Sequence, residues 1–405
     1  MYEELVNEII EGRRLGKEDD LTFLIDGDLE SLCQGADKIR KELCGNQVDL
    51  CTIINGRAGR CSENCRFCAQ SSHHHTGAEE YDVMDVDSFV KACHVNEENG
   101  AHRFSIVTAG RTLVGKEFDQ VVEAYKRMHE ECKGIELCAS HGLLTKEQFE
   151  ILRKVGVTRC HANIETSRRY FPSICTTHTF EDKLACIRAA KEAGLEVCSG
   201  GIVGMGETWE DRLDMALTLA ELEVDSIPLN ALMPIPGTPF ENLKQLTEEE
   251  LLRVIAMFRF INPSTSIRLA AGRKLMKENG KKAFFSGANA TITGDMLTTS
   301  GNNTKQDKQM LVASGHKLYF YNNPSRDDAS LRMEIDFLIA KSKITSKHNI
   351  SPIEVKSGGK YTLTSLKKCR EKYTEQLDTL YVLHKNDLKV EEGIVYLPLY
   401  MTPLL

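Results

Sequence analysis

Three cysteines in one short segment are the strongest chemical signal in the sequence. Cys61, Cys65 and Cys68 follow a C-x3-C-x2-C spacing, directly after an apolar run at residues 50–54 that predicts a strand. A closed structural zinc site needs four protein ligands, whereas three thiolates leave one metal position open for chemistry. The spacing therefore favours an open iron–sulfur site. A Cys3His zinc site, completed by one of the histidines at residues 73–75, is the alternative.

The composition bounds the kinds of protein that the chain can be. Apolar residues make up 41% and charged residues 27% of the 405 residues, which is ordinary for a globular protein with a large core. The net charge of −8 argues against a general nucleic-acid-binding surface. No apolar run could span a bilayer, and the acidic N-terminal segment is unlike a signal peptide, so we expect a cytoplasmic protein. In that compartment, 14 cysteines favour metal or redox chemistry over disulfides.

Alternating strand-like and helix-like segments must position these cysteines. Amphipathic helical patterns lie between eight candidate strands at a spacing of roughly 30 residues, which predicts an α/β fold of the (β/α)8 TIM-barrel type. A doubly wound open sheet is the alternative. The predicted helices include residues 118–132, 146–155, 180–193 and 209–222, and the predicted strands are residues 48–55, 102–108, 134–140, 157–165, 195–202, 223–229, 265–270 and 284–290.

Changes in pattern divide the chain into three parts. Residues 1–45 are predicted to form an N-terminal helical cap, and residues 46–318 the barrel. A polar, turn-forming stretch at residues 322–328 marks a change of character. Residues 319–405 are therefore predicted to form a small, separate α/β module.

Four segments carry a resemblance to a known family. They are residues 68–71 (CAQS), 136–140 (ELCAS), 197–208 (VCSGGIVGMGET) and 267–273 (IRLAAGR). Together with the cysteine loop they resemble the biotin synthases, a family of the radical S-adenosylmethionine (SAM) superfamily, over about residues 45–315. A related radical SAM maturase or mutase, of the hydrogenase-maturation or pyrrolysine-pathway type, is the alternative, because such enzymes share the first cysteine motif and the barrel.

The resemblance implies a radical reaction. Biotin synthases insert sulfur between two unactivated carbons of dethiobiotin, where no acidic proton or leaving group exists for acid–base catalysis. A [4Fe-4S] cluster and SAM supply a 5′-deoxyadenosyl radical, and a second iron–sulfur cluster is the implied sulfur donor. The resemblance further implies anaerobic chemistry, a flavodoxin or ferredoxin as electron donor, and a homodimer.

The resemblance also implies roles for residues around the SAM cluster. Cys61, Cys65 and Cys68 match its ligands, and Lys183 stands where an arginine usually meets the SAM carboxylate, which keeps the charge but loses the bidentate fork. An asparagine at a strand end could instead cap a helix, and the glycines could serve only turn geometry. The other implied contacts are Phe67 beside the cluster, Asn163, Glu165, Gly200, Gly201 and Ile202 with SAM, and Asn163 and Asn230 with the ureido ring of the substrate.

The implied auxiliary cluster departs from the family pattern. Cys138, Cys198 and Arg268 match three of the four ligands of a [2Fe-2S] cluster, but the fourth position is Ser105. Cys51 offers a replacement, because these four groups fall on predicted strands one, three, five and seven, and alternate strands build one barrel layer. We therefore predict Cys51, Cys138 and Cys198 as cluster ligands, with Arg268 as a ligand or nearby. A buried structural thiol is the alternative for Cys51.

Three thiolates at a barrel axis suit a four-iron cubane with one open iron, which could carry an extra sulfide, better than a two-iron cluster. The auxiliary cluster type therefore stays open between these two. Cys160 and Cys175 are weaker ligand candidates. Cys160 has the opposite strand parity to Asn163 and is expected to face the helices.

The C-terminal segment resembles a different family. Residues 333–339 and 351–358 resemble the nuclease-like domain that ends many bacterial AAA-type ATPases, with Asp336, Glu354 and Lys356 in the D…E-x-K arrangement that binds a divalent metal. The ATPase that normally precedes this domain is missing from the chain. An acquired or truncated fusion without nuclease function is the favoured interpretation, and a metal-dependent DNA-processing protein is the alternative.

Overall fold

A computed structural model describes most of the chain. The described residues are 2–294, 304–313, 317–318, 337–340, 350–356, 363–372, 377, 379–384 and 386–398. The chain divides into two compact units, residues 1–318 and residues 319–405. Within the described residues, no helix combines the length and the apolar character that crossing a bilayer requires.

A closed barrel of parallel strands forms the centre of the first unit. Neighbouring positions of the ring pair in chain order, and the first and last strands of the ring also pair with each other, which closes the ring and excludes the open sheet. The short strands β5 and β6 share one of the eight positions, so the predicted eight-stranded barrel is confirmed. The strands are β1 (Gln47–Arg57), β2 (Arg103–Thr108), β3 (Glu136–Ser140), β4 (Val157–His161), β5 (Glu196–Cys198), β6 (Gly201–Val203), β7 (Ser226–Ala231), β8 (Ser266–Leu269), β9 (Ala290–Ile292) and β10 (Lys317–Leu318), the last pairing with β1.

Helices surround the barrel, and four of them begin at a capping box. A threonine hydroxyl accepts from the backbone N–H three residues later, whose own side chain binds back, at Thr145, Thr179, Thr208 and Thr247. The helices of this unit are α1 (Glu3–Ile10), α2 (Phe23–Asp26), α3 (Leu29–Cys44), α4 (Val86–Glu98), α5 (Gly115–Glu131), α6 (Lys146–Lys154), α7 (Phe180–Glu192), α8 (Trp209–Glu221), α9 (Glu248–Ile261) and α10 (Thr304–Ala313), with 3-10 turns at Phe171–Ser173, Arg273–Leu275 and Lys277–Phe285.

The N-terminal helices belong to the same compact unit as the barrel. Helix α3 packs against α1 and α9, and α2 packs against α9. The rings of Phe23 and Phe260 meet edge to face at 5.9 Å. These helices therefore extend the helical layer beside α9.

Three predicted strands differ from the observed ones. The fourth ends at His161 rather than at residue 165, and the fifth breaks between β5 and β6. The eighth was placed wrongly at residues 284–290, because residues 277–285 form a 3-10 helix and the strand is Ala290–Ile292. Its apolar run (Ala283, Phe284 and Ala288) is buried, and periodicity alone does not distinguish such a run from a strand.

The second unit contains a five-stranded mixed sheet. Its strands are β11 (Phe337–Ala340), β12 (Ile350–Val355), β13 (Leu380–His384), β14 (Lys389–Glu391) and β15 (Ile394–Pro398), in the order β11-β12-β13-β15-β14. Strands β12, β13 and β15 are parallel, and the two edge strands are antiparallel. Helix α11 (Thr364–Lys372) packs Leu366 and Cys369 against Val382 and Ile394.

The buried side chain of Arg259 holds the segments between α9 and β9 together. Its guanidinium donates to the carbonyls of Gly287 and Thr265, both at 2.8 Å, and to Asn289 Oδ1 at 2.8 Å. The side chain is fully buried. Because several buried acceptors depend on this one group, its loss leaves them unsatisfied.

We expect Arg259→Met to lower the free energy of unfolding by more than about 3 kcal/mol, since buried acceptors lose their donors. Urea denaturation of the cluster-free protein measures the change. Arg188→Met, at an exposed position of α7, is the control and should stay close to wild type. Equal stability of the two variants would contradict this role of Arg259.

Candidate active site

A cavity of about 340 Å³ opens where the barrel strands end. Its wall combines residues of the strands with residues of the loops that follow them, as barrel active sites do. It brings together many of the side chains that the sequence singled out, namely Phe67, Cys68, Asn163, Glu165, Lys183, Cys198, Ile202, Asn230 and Arg268.

The three-cysteine loop lies at the rim of this cavity. The Cys61 N–H donates to the Gln70 carbonyl at 3.0 Å, and the Cys68 N–H donates to the Cys65 carbonyl at 3.0 Å. All three thiols are half-buried. The loop thus gathers three thiols in a fixed backbone turn, with Phe67 and Cys68 facing the cavity.

Two of the three neighbouring histidines are engaged elsewhere. His73 Nε2 lies 3.0 Å from the Ser62 carbonyl, and His74 Nε2 lies 3.0 Å from the Cys65 carbonyl. Both rings therefore bind backbone rather than complete a Cys3His site. The structure instead places Cys175 against the loop, with its sulfur 3.8 Å from Cys65 Sγ, and His178 beside it. This contact was not predicted from the sequence, although the C-x2-H spacing of Cys175 and His178 is a metal-ligand signal.

Two glycines allow adjacent backbones to approach at the break in the fifth strand. A Cβ on Gly200 would lie 2.1 Å from the Pro228 carbonyl oxygen, and one on Gly201 would lie 2.3 Å from the Glu165 carbonyl oxygen. Neither glycine has a positive φ. Close approach of the backbone, rather than turn geometry, therefore requires glycine at both positions.

Glu165, beside these glycines, has an unusual backbone conformation and a buried carboxyl group. Its φ is +70°, and its backbone bridges to Gly201. Burial raises the pKa of Glu165, while Lys183 acts in the opposite direction. Its Oε2 atom is buried and has no hydrogen-bond partner among the described residues. A buried acceptor without a donor at a cavity wall is suited to a ligand hydroxyl or N–H group.

The two cavity asparagines connect strand ends. Asn163 Oδ1 accepts from the Gly200 N–H at 3.2 Å. Asn230 donates to the Gly201 carbonyl at 3.1 Å and accepts from the Ala271 N–H at 3.1 Å. These bonds fix both amides at the cavity wall, and neither amide caps a helix.

Three further thiols lie inside the barrel. Cys51, Cys138 and Cys198 are completely buried, and Arg268 is 1% exposed. Burial raises the pKa of Cys51 and of Cys138, and the nearby Arg268 opposes this rise for both. Without metal, the thiols of Cys51 and Cys138 are therefore neutral, and a metal that binds them must displace their protons. Cys160 lies in the apolar core near Cys186 of α7, as its strand parity indicates.

One carboxylate organises the charges around these thiols. Asp49 Oδ2 lies 2.5 Å from Arg268 Nη2, 3.4 Å from Arg103 Nε and 3.8 Å from Arg159 Nη1. Burial opposes ionisation of Asp49, but Arg268, His102 and Arg103 together outweigh it, and the pKa of Asp49 falls well below its usual value. Arg159 also contacts Glu196 at 2.7 Å. This network was not predicted from the sequence, although Asp49 has the same strand parity as Cys51 and thus faces the barrel interior.

Unsatisfied hydroxyls mark the same region. Ser105 Oγ and Ser199 Oγ are buried and have no hydrogen-bond partner among the described residues. Ser105 pairs in register with Cys138. The interior around the thiols therefore contains buried hydroxyl groups that could hydrogen-bond to a bound group.

Comparison with known proteins gives consistent family assignments for the first unit. The "Radical SAM superfamily" model matches residues 57–219, and the "Biotin and Thiamin Synthesis associated domain" model matches residues 228–317. The biotin synthase of Alkaliphilus metalliredigens is 62% identical over 78% of this chain and 98% of its own length. That of Clostridium beijerinckii is 61% identical over 78% of this chain and all of its own length.

Solved structures match the fold of this chain at low sequence identity, and the C-terminal segment matches a family model of unknown function. Methylornithine synthase PylB (TM-score 0.67, 21% identity) covers 78% of this chain and 97% of its own, and shows the same fold. The hydrogenase maturase HydG (TM-score 0.68, 17% identity) covers 78% of this chain and 74% of its own. Residues 308–401 match a "Domain of unknown function (DUF4143)".

Asp49→Ala should lower the free energy of unfolding by about 3–5 kcal/mol, because it leaves buried guanidinium groups without their shared counter-charge. Urea denaturation of the cluster-free, reduced chain measures the effect. The control is Asp119→Ala at an exposed position of α5, which should remain close to wild type. A stability of Asp49→Ala that matches the control would show that the network is not structural.

Proposed function

The chain belongs to the biotin synthase family, and from this premise we propose which residues hold its clusters, SAM and dethiobiotin. As a radical SAM enzyme of this family it forms biotin from dethiobiotin. When bound, the [4Fe-4S] cluster and SAM supply the radical that removes hydrogen from an unactivated C–H bond. One observation supports the assignment above all. A single cavity joins the three-cysteine loop, through Cys68, to the interior residues Cys198 and Arg268.

We propose Cys61, Cys65 and Cys68 as the ligands of the SAM cluster. Three half-buried thiols in one hydrogen-bonded loop fit a [4Fe-4S] cluster in which three irons bind cysteine and the fourth is left for SAM. Phe67 lies at the cavity wall beside them and would shield the cluster from water.

SAM would lie between this loop and the break in the fifth strand. The unpartnered Oε2 of Glu165 suits the ribose hydroxyls, which are donors. Lys183 would meet the SAM carboxylate with a single charge. The backbone at Gly200, Gly201 and Ile202 would lie along the adenosine, where the lack of Cβ atoms on the glycines keeps the wall close-packed.

The cavity asparagines would orient dethiobiotin. Its ureido ring offers N–H donors and a carbonyl acceptor, which amide side chains can match. The backbone bonds of Asn163 and Asn230 fix both amides before substrate enters, so little ordering is needed on binding.

We propose that Cys51, Cys138 and Cys198 hold the sulfur-donating auxiliary cluster, with Arg268 as a ligand or close neighbour. Three buried thiols surrounded by arginines suit an anionic cluster, since positive charge stabilises thiolates and sulfides. The cluster is either [2Fe-2S] or a cubane with an extra sulfide. A flavodoxin or ferredoxin donor, a homodimer and anaerobic turnover complete the proposal.

The second unit has no proposed nuclease function. Lys356 Nζ contacts the buried Glu354 at 2.8 Å, so these two predicted metal-site residues neutralise each other. Asp336, the remaining residue of the predicted set, lies outside the described residues. We propose that residues 319–405 are an acquired addition to the biotin synthase unit.

Cys51→Ala should lower the rate of biotin formation by more than about 100-fold. Loss of a residue that merely orients a metal ligand lowers activity about 10–100-fold, and loss of the ligand itself should cost more. Anaerobic turnover with dethiobiotin, SAM and reductant, read by mass spectrometry, measures biotin and cleaved SAM together. Cleavage of SAM should persist. Wild-type protein that cleaves SAM but yields no biotin would contradict the assigned reaction.

Iron and sulfide counts separate the two proposed sites. After anaerobic reconstitution, Cys51→Ala should lack the content of one cluster and keep that of the other. Cys160→Ala removes another buried barrel thiol, one that lies in the apolar core, and should keep the full content. Unchanged counts in Cys51→Ala would refute Cys51 as a ligand.

The full chain should not cut DNA with magnesium or manganese, since Glu354 is already paired with Lys356. A plasmid-cleavage assay tests this directly. Cleavage that disappears in Glu354→Ala would overturn the proposal for the second unit.

A further inference from the structure

Cys65 has a second set of neighbours besides the other loop cysteines. The segment between the 3-10 turn Phe171–Ser173 and α7 brings Cys175 to 3.8 Å from Cys65, sulfur to sulfur. His178 lies beside Cys175, with Nδ1 at 3.3 Å and Nε2 at 3.9 Å from its sulfur. Ligand atoms of Cys65, Cys175 and His178 all lie within 4.8 Å of one another.

These separations match the edges of a zinc tetrahedron. Zinc–sulfur bonds of about 2.3 Å and zinc–nitrogen bonds of about 2.0–2.1 Å give sulfur–sulfur edges of about 3.8 Å and sulfur–nitrogen edges of about 3.5 Å. Cys65 and Cys175 therefore already stand at the required distance. His178 reaches the third vertex through Nε2 only when its ring turns, because Cys175 Sγ now lies nearer to Nδ1 (3.3 Å) than to Nε2 (3.9 Å).

An outer shell of the kind that zinc sites use is also present. Glu63 Oε2 lies 2.5 Å from His178 Nδ1, and it also accepts from Thr177 Oγ1 at 2.8 Å. A carboxylate on Nδ1 fixes the imidazole tautomer and presents Nε2 to a metal. Glu63 and His178 are both buried, so the hydrogen bond between them is shielded from water.

We propose that the chain without its SAM cluster binds one Zn²⁺ through Cys65, Cys175 and His178. Two thiolates and one imidazole are a donor set that Zn²⁺ prefers, and the fourth position is left to water or to Asn64, whose Oδ1 lies 3.4 Å from Cys175 Sγ. Zinc and the [4Fe-4S] cluster exclude each other, because both use Cys65. This exclusion rests on the proposed function, whereas the zinc site does not.

Zinc titration of the full-length, iron-free, reduced chain tests the site. The affinity is measured against a chromogenic chelator, and X-ray absorption at one equivalent of zinc counts the sulfur ligands. We expect one zinc with two sulfurs and two nitrogen or oxygen atoms. Cys175→Ala should weaken this zinc by more than about 100-fold. Cys61→Ala, and the buried control Cys186→Ala, should bind as wild type does.

Other results would overturn the site. A three-sulfur shell with loss of affinity in Cys61→Ala would place zinc on the C-x3-C-x2-C thiols. A three-sulfur shell with loss in Cys51→Ala would place it on the interior thiols. The wild-type spectrum alone distinguishes two sulfurs from three, so the test does not depend on the folding of any variant.

Cluster uptake tests the exclusion separately. Wild-type protein loaded with zinc should take up less iron on reconstitution than zinc-free protein, and Cys175→Ala should be insensitive to the same treatment. If zinc binds as expected but iron uptake is complete, the exclusion fails and the role of Cys65 in the cluster is in doubt, while the zinc site stands. If zinc does not bind, the proposed clusters are unaffected.

Discussion

The ion contacts of Asp49 inside the barrel are the constraint on which the site depends. Parallel strands bring Arg103, Arg159 and Arg268 from three positions of the ring to one carboxylate. Buried charges are costly unless they are paired, so this arrangement fixes the strand register at that level. The same register sets Cys51, Cys138 and Cys198 in the interior beside the guanidinium groups. Charge pairing and the geometry of the thiols are therefore one feature.

The break in the fifth strand relates this interior to the mouth. Cys198 ends β5, and Gly200 and Gly201 then let the backbone approach Pro228 and Glu165. The gap exposes backbone and the amides of Asn163 and Asn230 to the cavity. The two parts of the irregular strand thus contribute Cys198 and Ile202 to the same cavity that Cys68 lines.

Local sequence patterns predicted some of these features and not others. The alternation of strand-like and helix-like segments was enough to predict the barrel. The eighth strand was misplaced because a short apolar run has the same pattern in a buried turn. Cys175 was a weaker ligand candidate, but its contact with Cys65 was not predicted, because the two residues are 110 positions apart and no local pattern reports such a contact. The pairing of Asp49 is likewise a property of the closed ring.

The central claim is that the barrel interior holds a second cluster beneath the first. An anomalous iron difference map from crystals of the anaerobically reconstituted full chain tests it most directly. The account predicts two separate iron peaks, one within bonding distance of Cys61, Cys65 and Cys68 and one among Cys51, Cys138 and Cys198. A single iron peak at the loop, or a second peak away from Cys51, would contradict it.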